Sequence, residues 1–232
     1  MTTRIKTLLL SLILPIAAWA QSGDVRPQVV LETDSGKVVI ELYNETPQHR
    51  DNFLKLVAEG YYNGVLFHRV INRFMIQTGD SASRHAQPGK LLGESSYETY
   101  KIPAEIRWPQ LFHKRGAVAA AREGNDTNPE MQSSMSQFYI VTGRRFNANM
   151  LEDAEERIYR DTKKFVTFPS ELADVYLKQG GTPHLDTQYT VFGEVVEGME
   201  VVDRIQQAKT DDNNRPLADI RINRAYILSP HP

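Results

Sequence analysis

The chain has no cysteine in its 232 residues. Disulfides, thiolate nucleophiles and sulfur-ligated metals are excluded together. Excess charge of one sign is missing as well: 27 basic and 29 acidic side chains give a formal net charge of −2, with no arginine-rich tract. Nucleic acid is therefore not an expected partner. The six histidines include no pair spaced i, i+4 and have no cysteine nearby, so no metal is expected. What remains is an ordinary soluble composition, 41% hydrophobic and 24% charged, at a length that suits one globular domain.

A membrane-spanning run is also lacking. The apolar stretch 8–16 is shorter than the roughly 20 residues a spanning helix needs. Arg4 and Lys6 precede it, and Ala18-Trp19-Ala20 supplies a small-x-small cleavage pattern before Gln21. This is the build of a secretory signal. Loss of residues 1–20 predicts a periplasmic or secreted protein with no stable membrane insertion. It removes two positive charges, leaving 25 basic against 29 acidic side chains. Residues 21–28 then form a short polar leader.

The rest of the chain reads mainly as short strands. Residues 29–32 and 38–43 are β-rich and flank the turn Asp34-Ser35-Gly36. Thr46-Pro47 reads as an N-cap and first helical residue, with Phe53, Leu56 and Val57 as the apolar stripe and Gly60 as the stop. A hairpin spans His68 to Gln77, and 81–100 is a long polar connection. Further strands fall at 117–121 and 137–141, joined by a Gly-, Asn-, Pro- and Ser-containing loop over 122–136. Residues 151–164 and 169–178 are helical in composition, Ser170 being a candidate cap, and occupy an insertion at about 143–183. A strand at 191–196, a helix at 200–208 and a strand at 220–228 complete the pattern. Many short strands with two framing helices predict closure into a barrel, which leaves no exposed edge. An eight-stranded barrel is filled by its own side chains, so a substrate would bind outside its wall.

Residues 65–80, VLFHRVINRFMIQTGD, carry the main chemical signal. Arg69 lies in a strand that is otherwise apolar, and a desolvated guanidinium requires either a structural counter-ion or a chemical task. Read alone, Arg69 fits a buried ion pair; Phe74, Met75 and Tyr139 fit an ordinary core; and His68, alternating with Leu66 and Val70, fits a wall histidine.

Three segments in order, 65–80, then Ser136-Gln137-Phe138-Tyr139-Ile140, then Tyr189-Thr190-Val191-Phe192-Gly193 following Leu185-Asp186, together resemble the cyclophilin family of peptidyl-prolyl isomerases. The resemblance covers about residues 29–228 and implies a mainly β fold: a closed, eight-stranded antiparallel barrel framed by two helices, within a domain at 29–229, with the helical insertion added. It implies Arg69 as the catalytic donor, steadied by Gln77. Phe74, Met75, Tyr139 and Leu185 match the apolar proline pocket. Gln137 and the backbone around Arg122 match positions that hold the substrate carbonyl and the preceding residue, and His68 and Ala121 match peripheral groove positions. Four positions depart from the family pattern. Tyr139 stands where phenylalanine is usual, so its hydroxyl needs a partner. His184 takes the place of a tryptophan found in many eukaryotic members, and Tyr189 that of a groove histidine. Thr78 interrupts what is commonly Gln-Gly-Gly-Asp.

The implied activity is isomerisation of X–Pro bonds in unfolded or extended proline-containing chains during folding of exported proteins, by a monomer without cofactor. The alternative is a chaperone or binding module on the same fold that holds extended chains with its groove and inserted helices. In that case removal of residues 145–179 should abolish client binding and leave isomerisation intact.

Overall fold

The computed structural model of the protein describes residues 25–94 and 98–228. The expected signal lies outside them. β1 (Gln28–Thr33) and β2 (Gly36–Leu42) form the first hairpin, where the Thr33 hydroxyl donates to the Gly36 carbonyl at 2.7 Å. After α1 (Pro47–Ala58) come β3 (Arg69–Ile71) and β4 (Met75–Thr78), then β5 (Lys101–Ile102), β6 (Ala117–Ala120), β7 (Ser133–Ser134) and β8 (Phe138–Val141). α2 (Ala148–Thr162) and α3 (Ser170–Lys178) precede β9 (Val191–Glu197), α4 (Met199–Gln206) and β10 (Ile222–Leu228).

Eight strands join one antiparallel sheet in the order β10-β1-β2-β9-β6-β8-β4-β3. The sheet curls, but its ladder stays open between β3 and β10, so the predicted closed barrel is corrected to an open one. The gap is spanned by the residues ahead of β3: Gly64 N–H donates to the Ile222 carbonyl at 2.7 Å and Phe67 N–H to the Ile220 carbonyl at 2.9 Å. The ladder goes no further because β3 has three residues and its Val70 N–H turns instead to the Asn214 carbonyl, at 2.8 Å. β5 and β7 pair separately, β7 inside the loop read at 122–136 and β5 just after the connection read at 81–100.

Side-chain parity sorts the sheet into two faces. Val29, Leu31, Val38, Ile40, Ile76, Val118, Ala120, Phe138 and Ile140 point into the enclosed core, where Phe53, Leu56 and Val57 of α1 and Val201, Val202 and Ile205 of α4 meet them. Met75, Ala117, Ala119, Tyr139, Val141 and Val191 point to the opposite face and gather a second cluster with Phe74, Leu185 and Tyr189. The helices of the 143–183 segment bring a third, small core built on Leu151, Ile158, Phe168 and Tyr176. Asn147 caps α2 by accepting from Met150 N–H at 2.9 Å, whereas Ser170 does not cap α3, whose N-cap position is held by Pro169.

α1 starts where expected, with Thr46 at the N-cap position and Pro47 as the first helical residue, but its capping acceptor differs. Thr46 makes no side-chain cap. The acceptor is the distant Glu105 carboxylate, which takes Gln48 N–H at 3.2 Å, His49 N–H at 3.0 Å and His49 Nδ1–H at 2.7 Å. Removing that carboxylate leaves three buried or half-buried donors unmet. Glu105→Ala is expected to lower the unfolding free energy by about 3 kcal/mol and Thr46→Ala by less than about 1 kcal/mol, measured by denaturant titration. Equal losses would contradict this account of the helix start.

Candidate active site

The register of four strands places the candidate residues in one row. Arg69 of β3 pairs with Gln77 of β4, Gln77 with Tyr139 of β8, and Tyr139 with Ala119 of β6. Residues paired across antiparallel strands share a face, and here it is the outer face, away from the enclosed core. Thr78 does not disturb the row. It stays in β4 with its hydroxyl donating to the Leu66 carbonyl at 2.8 Å. Within Gln77–Asp80 only Gly79 takes a positive φ, of 99°, and a Cβ there would lie 2.2 Å from the Ser136 carbonyl oxygen.

A chain of amides fixes the polar groups. Arg69 Nη1 donates to Gln77 Oε1 at 3.3 Å, Gln77 Nε2 to Gln137 Oε1 at 3.2 Å, and Gln137 Nε2 to the Gly93 carbonyl at 3.3 Å. Gln137 is itself positioned by its backbone N–H, which donates to Ser134 Oγ at 2.8 Å. Among the described residues no carboxylate forms an ion pair with Arg69. The structural ion pair that the sequence alone left open for Arg69 is therefore not what holds it. Burial pulls its pKa down from the ordinary value, with the Tyr189 hydroxyl acting the other way. An arginine tolerates such a shift and remains a cation.

Arg69, Phe74, Met75, Gln77, Ala121, Arg122, Tyr139, Leu185 and Tyr189 together line a hollow of about 100 Å³. Arg122 is locked over the Tyr189 ring at 4.4 Å, while its Nε donates to the Gln188 carbonyl at 2.8 Å. Gln137 lines an adjoining hollow of about 130 Å³, shared with Gln77, Ala121 and Arg122. His184 stands on the far side of Phe74, its ring stacked on it at 5.5 Å and 20°. His68, expected at the groove edge, is buried beneath Gly93 and does not line the hollow.

A family model, "Cyclophilin type peptidyl-prolyl cis-trans isomerase/CLD", matches residues 28–227. The chain belongs to the cyclophilin-type peptidyl-prolyl cis-trans isomerases. It is 32% identical over 203 residues to a Staphylococcus aureus (strain USA300) protein provisionally named a peptidyl-prolyl cis-trans isomerase, covering 87% of this chain and 91% of that one. A Streptococcus pyogenes serotype M6 protein, provisionally named a bifunctional phosphatase/peptidyl-prolyl cis-trans isomerase, is 33% identical over 205 residues, which are 87% of this chain and 39% of that one. In fold it resembles a Cryptosporidium parvum cyclophilin, with a TM-score of 0.62 at 22% identity over 89% of this chain and all of that one. A second structure of the Cryptosporidium protein, in the presence of the dipeptide Ala-Pro, gives 0.59 at 23% identity over 87% and 99% of the two chains.

The tyrosine at this cyclophilin's pocket floor finds the partner its hydroxyl needs. Asp186 accepts from His113 Nδ1–H at 2.7 Å, from His113 N–H at 2.9 Å and from the Tyr176 hydroxyl at 2.6 Å. With Nδ1 thus protonated, His113 Nε2 accepts from the Tyr139 hydroxyl at 2.9 Å. Burial raises the pKa values of both tyrosines well above the usual phenol range, so both stay donors. His113 and Tyr176 were not legible as site residues in the sequence. The only clue was the unexpected hydroxyl of Tyr139.

Tyr139→Phe leaves His113 Nε2 without a donor and is expected to cost about 1–3 kcal/mol of stability. The apolar floor is kept, so peptide turnover should change less than about threefold. A stability loss under about 0.5 kcal/mol by denaturant unfolding would show that the chain of hydrogen bonds is not formed. Acid should weaken the protein through two other histidines. Burial is the largest cause that lowers the pKa of His68 to about 4 and of His184 to about 3, from 6.5. Both are native in the neutral form, so their contribution is complete above about pH 6.5 and is lost as pH falls towards 4 for His68 and towards 3 for His184. The denaturant midpoint should therefore fall between about pH 7 and 4.5, and fall less in His184→Phe, which keeps the ring on Phe74.

Proposed function

We propose that this cyclophilin accelerates X–Pro isomerisation in exported polypeptides, acting as a monomer in the periplasm or outside the cell once residues 1–20 are removed. The observation that carries the reading is an arginine without a carboxylate partner among the described residues, beside a hollow of about 100 Å³ whose lining includes Phe74, Met75 and Leu185. Rotation about a peptide bond meets a barrier of ~18–20 kcal/mol because the C–N bond has partial double-bond character. In the twisted state the prolyl nitrogen recovers its lone pair, which a donor can then engage. A hydrogen bond that strengthens only there lowers the barrier without tightening the ground state.

In this reading the proline ring enters between Phe74, Met75, Tyr139 and Leu185, and water is kept out. Gln77 takes one N–H of Arg69 and leaves the others to reach the prolyl nitrogen. Gln137 and the backbone at Arg122 hold the substrate carbonyl and the residue before proline. No nucleophile and no proton transfer are required, in keeping with a group that does not deprotonate. A chain-holding role alongside catalysis draws support from Phe165, 86% exposed, stacked on Tyr159 at 4.3 Å on the 143–183 segment.

Arg69→Ala is expected to lower kcat/KM on a proline tetrapeptide at least about tenfold, or ~1.4 kcal/mol of barrier, with the unfolding midpoint unchanged. Arg69→Lys should also be poor, because an ammonium does not reproduce the planar fork. Undiminished turnover in Arg69→Ala would refute the role given to this side chain.

A further inference from the structure

We propose that the 143–183 segment and the β3–β4 turn form an anion subsite next to the proline hollow, selecting substrates that carry an aspartate or glutamate shortly after the proline. The inference rests on the isomerase reading above and adds the class of substrate. A second hollow, of about 190 Å³, opens on the other side of Phe74. Phe74 is thus a shared wall, and His184 stacks on it within the second hollow. Three arginines from separate stretches of chain line this space: Arg73 in the β3–β4 turn, Arg144 ahead of α2 and Arg157 within α2. The carboxylate in the lining is Asp153, so the charged side chains there sum to a positive excess.

Two of the three arginines, Arg73 and Arg144, carry no ion pair among the described residues, although the Arg144 guanidinium lies over the Phe146 ring at 5.6 Å. Arg157 has a 3.7 Å contact with Asp161. Thr182, 1% exposed, also lines the hollow, and its hydroxyl has no hydrogen-bond partner among the described residues. Guanidinium forks with a hydroxyl donor are a donor set suited to a carboxylate. Arginines serving only for solubility would be spread over solvated faces. These converge on one hollow that shares a wall with the proline site.

That shared wall also decides the source of the anion. A chain whose proline occupies the first hollow passes beside Phe74, so a carboxylate on the same chain is delivered at high effective concentration. Gln137 and the Arg122 backbone hold the residue before proline. The Phe74 side therefore faces the residues after it.

The test uses the mature protein and matched neutral and acidic peptides, with Gln or Glu placed one, two or three residues after proline and, as controls, before it. Isomerisation is read by NMR exchange. Glu after proline should raise kcat/KM roughly three- to tenfold over Gln at one or more positions, with no gain before proline. In Arg144→Gln/Arg157→Gln the Glu-to-Gln ratio should fall to about one. In the unmodified protein the advantage should shrink as salt rises from about 0.05 to 0.5 M, which needs no variant to fold. Equal rates for Glu and Gln at every position, with the Gln peptides isomerised, would overturn the subsite and leave the isomerase reading standing. Binding of inorganic phosphate without any peptide preference would overturn it in the same way. If no peptide is isomerised, the isomerase reading fails and the subsite falls with it.

Discussion

A half-buried guanidinium held, among the described residues, by a neutral amide acceptor is the constraint to which the site answers. A carboxylate beside Arg69 would hold it more firmly, since hydrogen bonds to charged groups contribute roughly twice what neutral ones do. It would also occupy the donors and neutralise the field at the hollow. The Gln77 carbonyl binds at 3.3 Å and leaves the charge in place. The cost is a weaker hold, which the molecule offsets by fixing the acceptor. Gln77 is oriented by Gln137, and Gln137 ends on a main-chain carbonyl, that of Gly93. Each amide has one sensible orientation because its neighbour's is already set.

The constraint reaches into the sheet. Arg69, Gln77, Tyr139 and Ala119 share a face only while three strand pairings keep register, and a slip of one residue would turn the row into the core. Gly79 limits such slippage at the end of β4, where the chain passes too close to the Ser136 carbonyl for any side chain. The open seam between β3 and β10 has a related origin. β3 is short and leaves the ladder after Ile71, so that Arg73 and Phe74 come round in a turn between the two hollows.

Much of this was legible in the sequence, and the reasons are local. Strands such as 29–32 and 117–121 announce themselves by apolar, β-branched or small residues, and the hairpin from His68 to Gln77 by its return through Phe74. Family likeness brought Arg69, Gln77 and the pocket residues together as a set. What escaped depends on distance along the chain. Thr46 and Pro47 mark the start of α1 as read, but the capping acceptor is Glu105, 58 residues beyond that start, and nothing local announces it. His113 meets Tyr139 across 26 residues and Asp186 across 73. β5 and β7 are two-residue strands, too short for any periodicity. His68 carried a pattern that fitted both groove and wall, and burial chose the wall.

The Tyr139 hydroxyl and the 143–183 helices also prove to be parts of one device. Tyr176 of α3 donates to Asp186, Asp186 orients His113, and His113 accepts from Tyr139 on the pocket floor. A phenylalanine at 139 would strand the imidazole nitrogen, and loss of α3 would strip a buried carboxylate of one of its three donors. Either change costs free energy because the groups left behind are inside the protein. The helices are therefore not an appendage that can be cut away at 145–179 with the pocket untouched: a deletion there would remove a donor to Asp186 and disturb the lining of the hollow. The departure from phenylalanine at 139 is intelligible on the same ground: the tyrosine keeps an aromatic ring in the lining of the hollow and adds the hydrogen bond by which that lining is tied to the segment beside it.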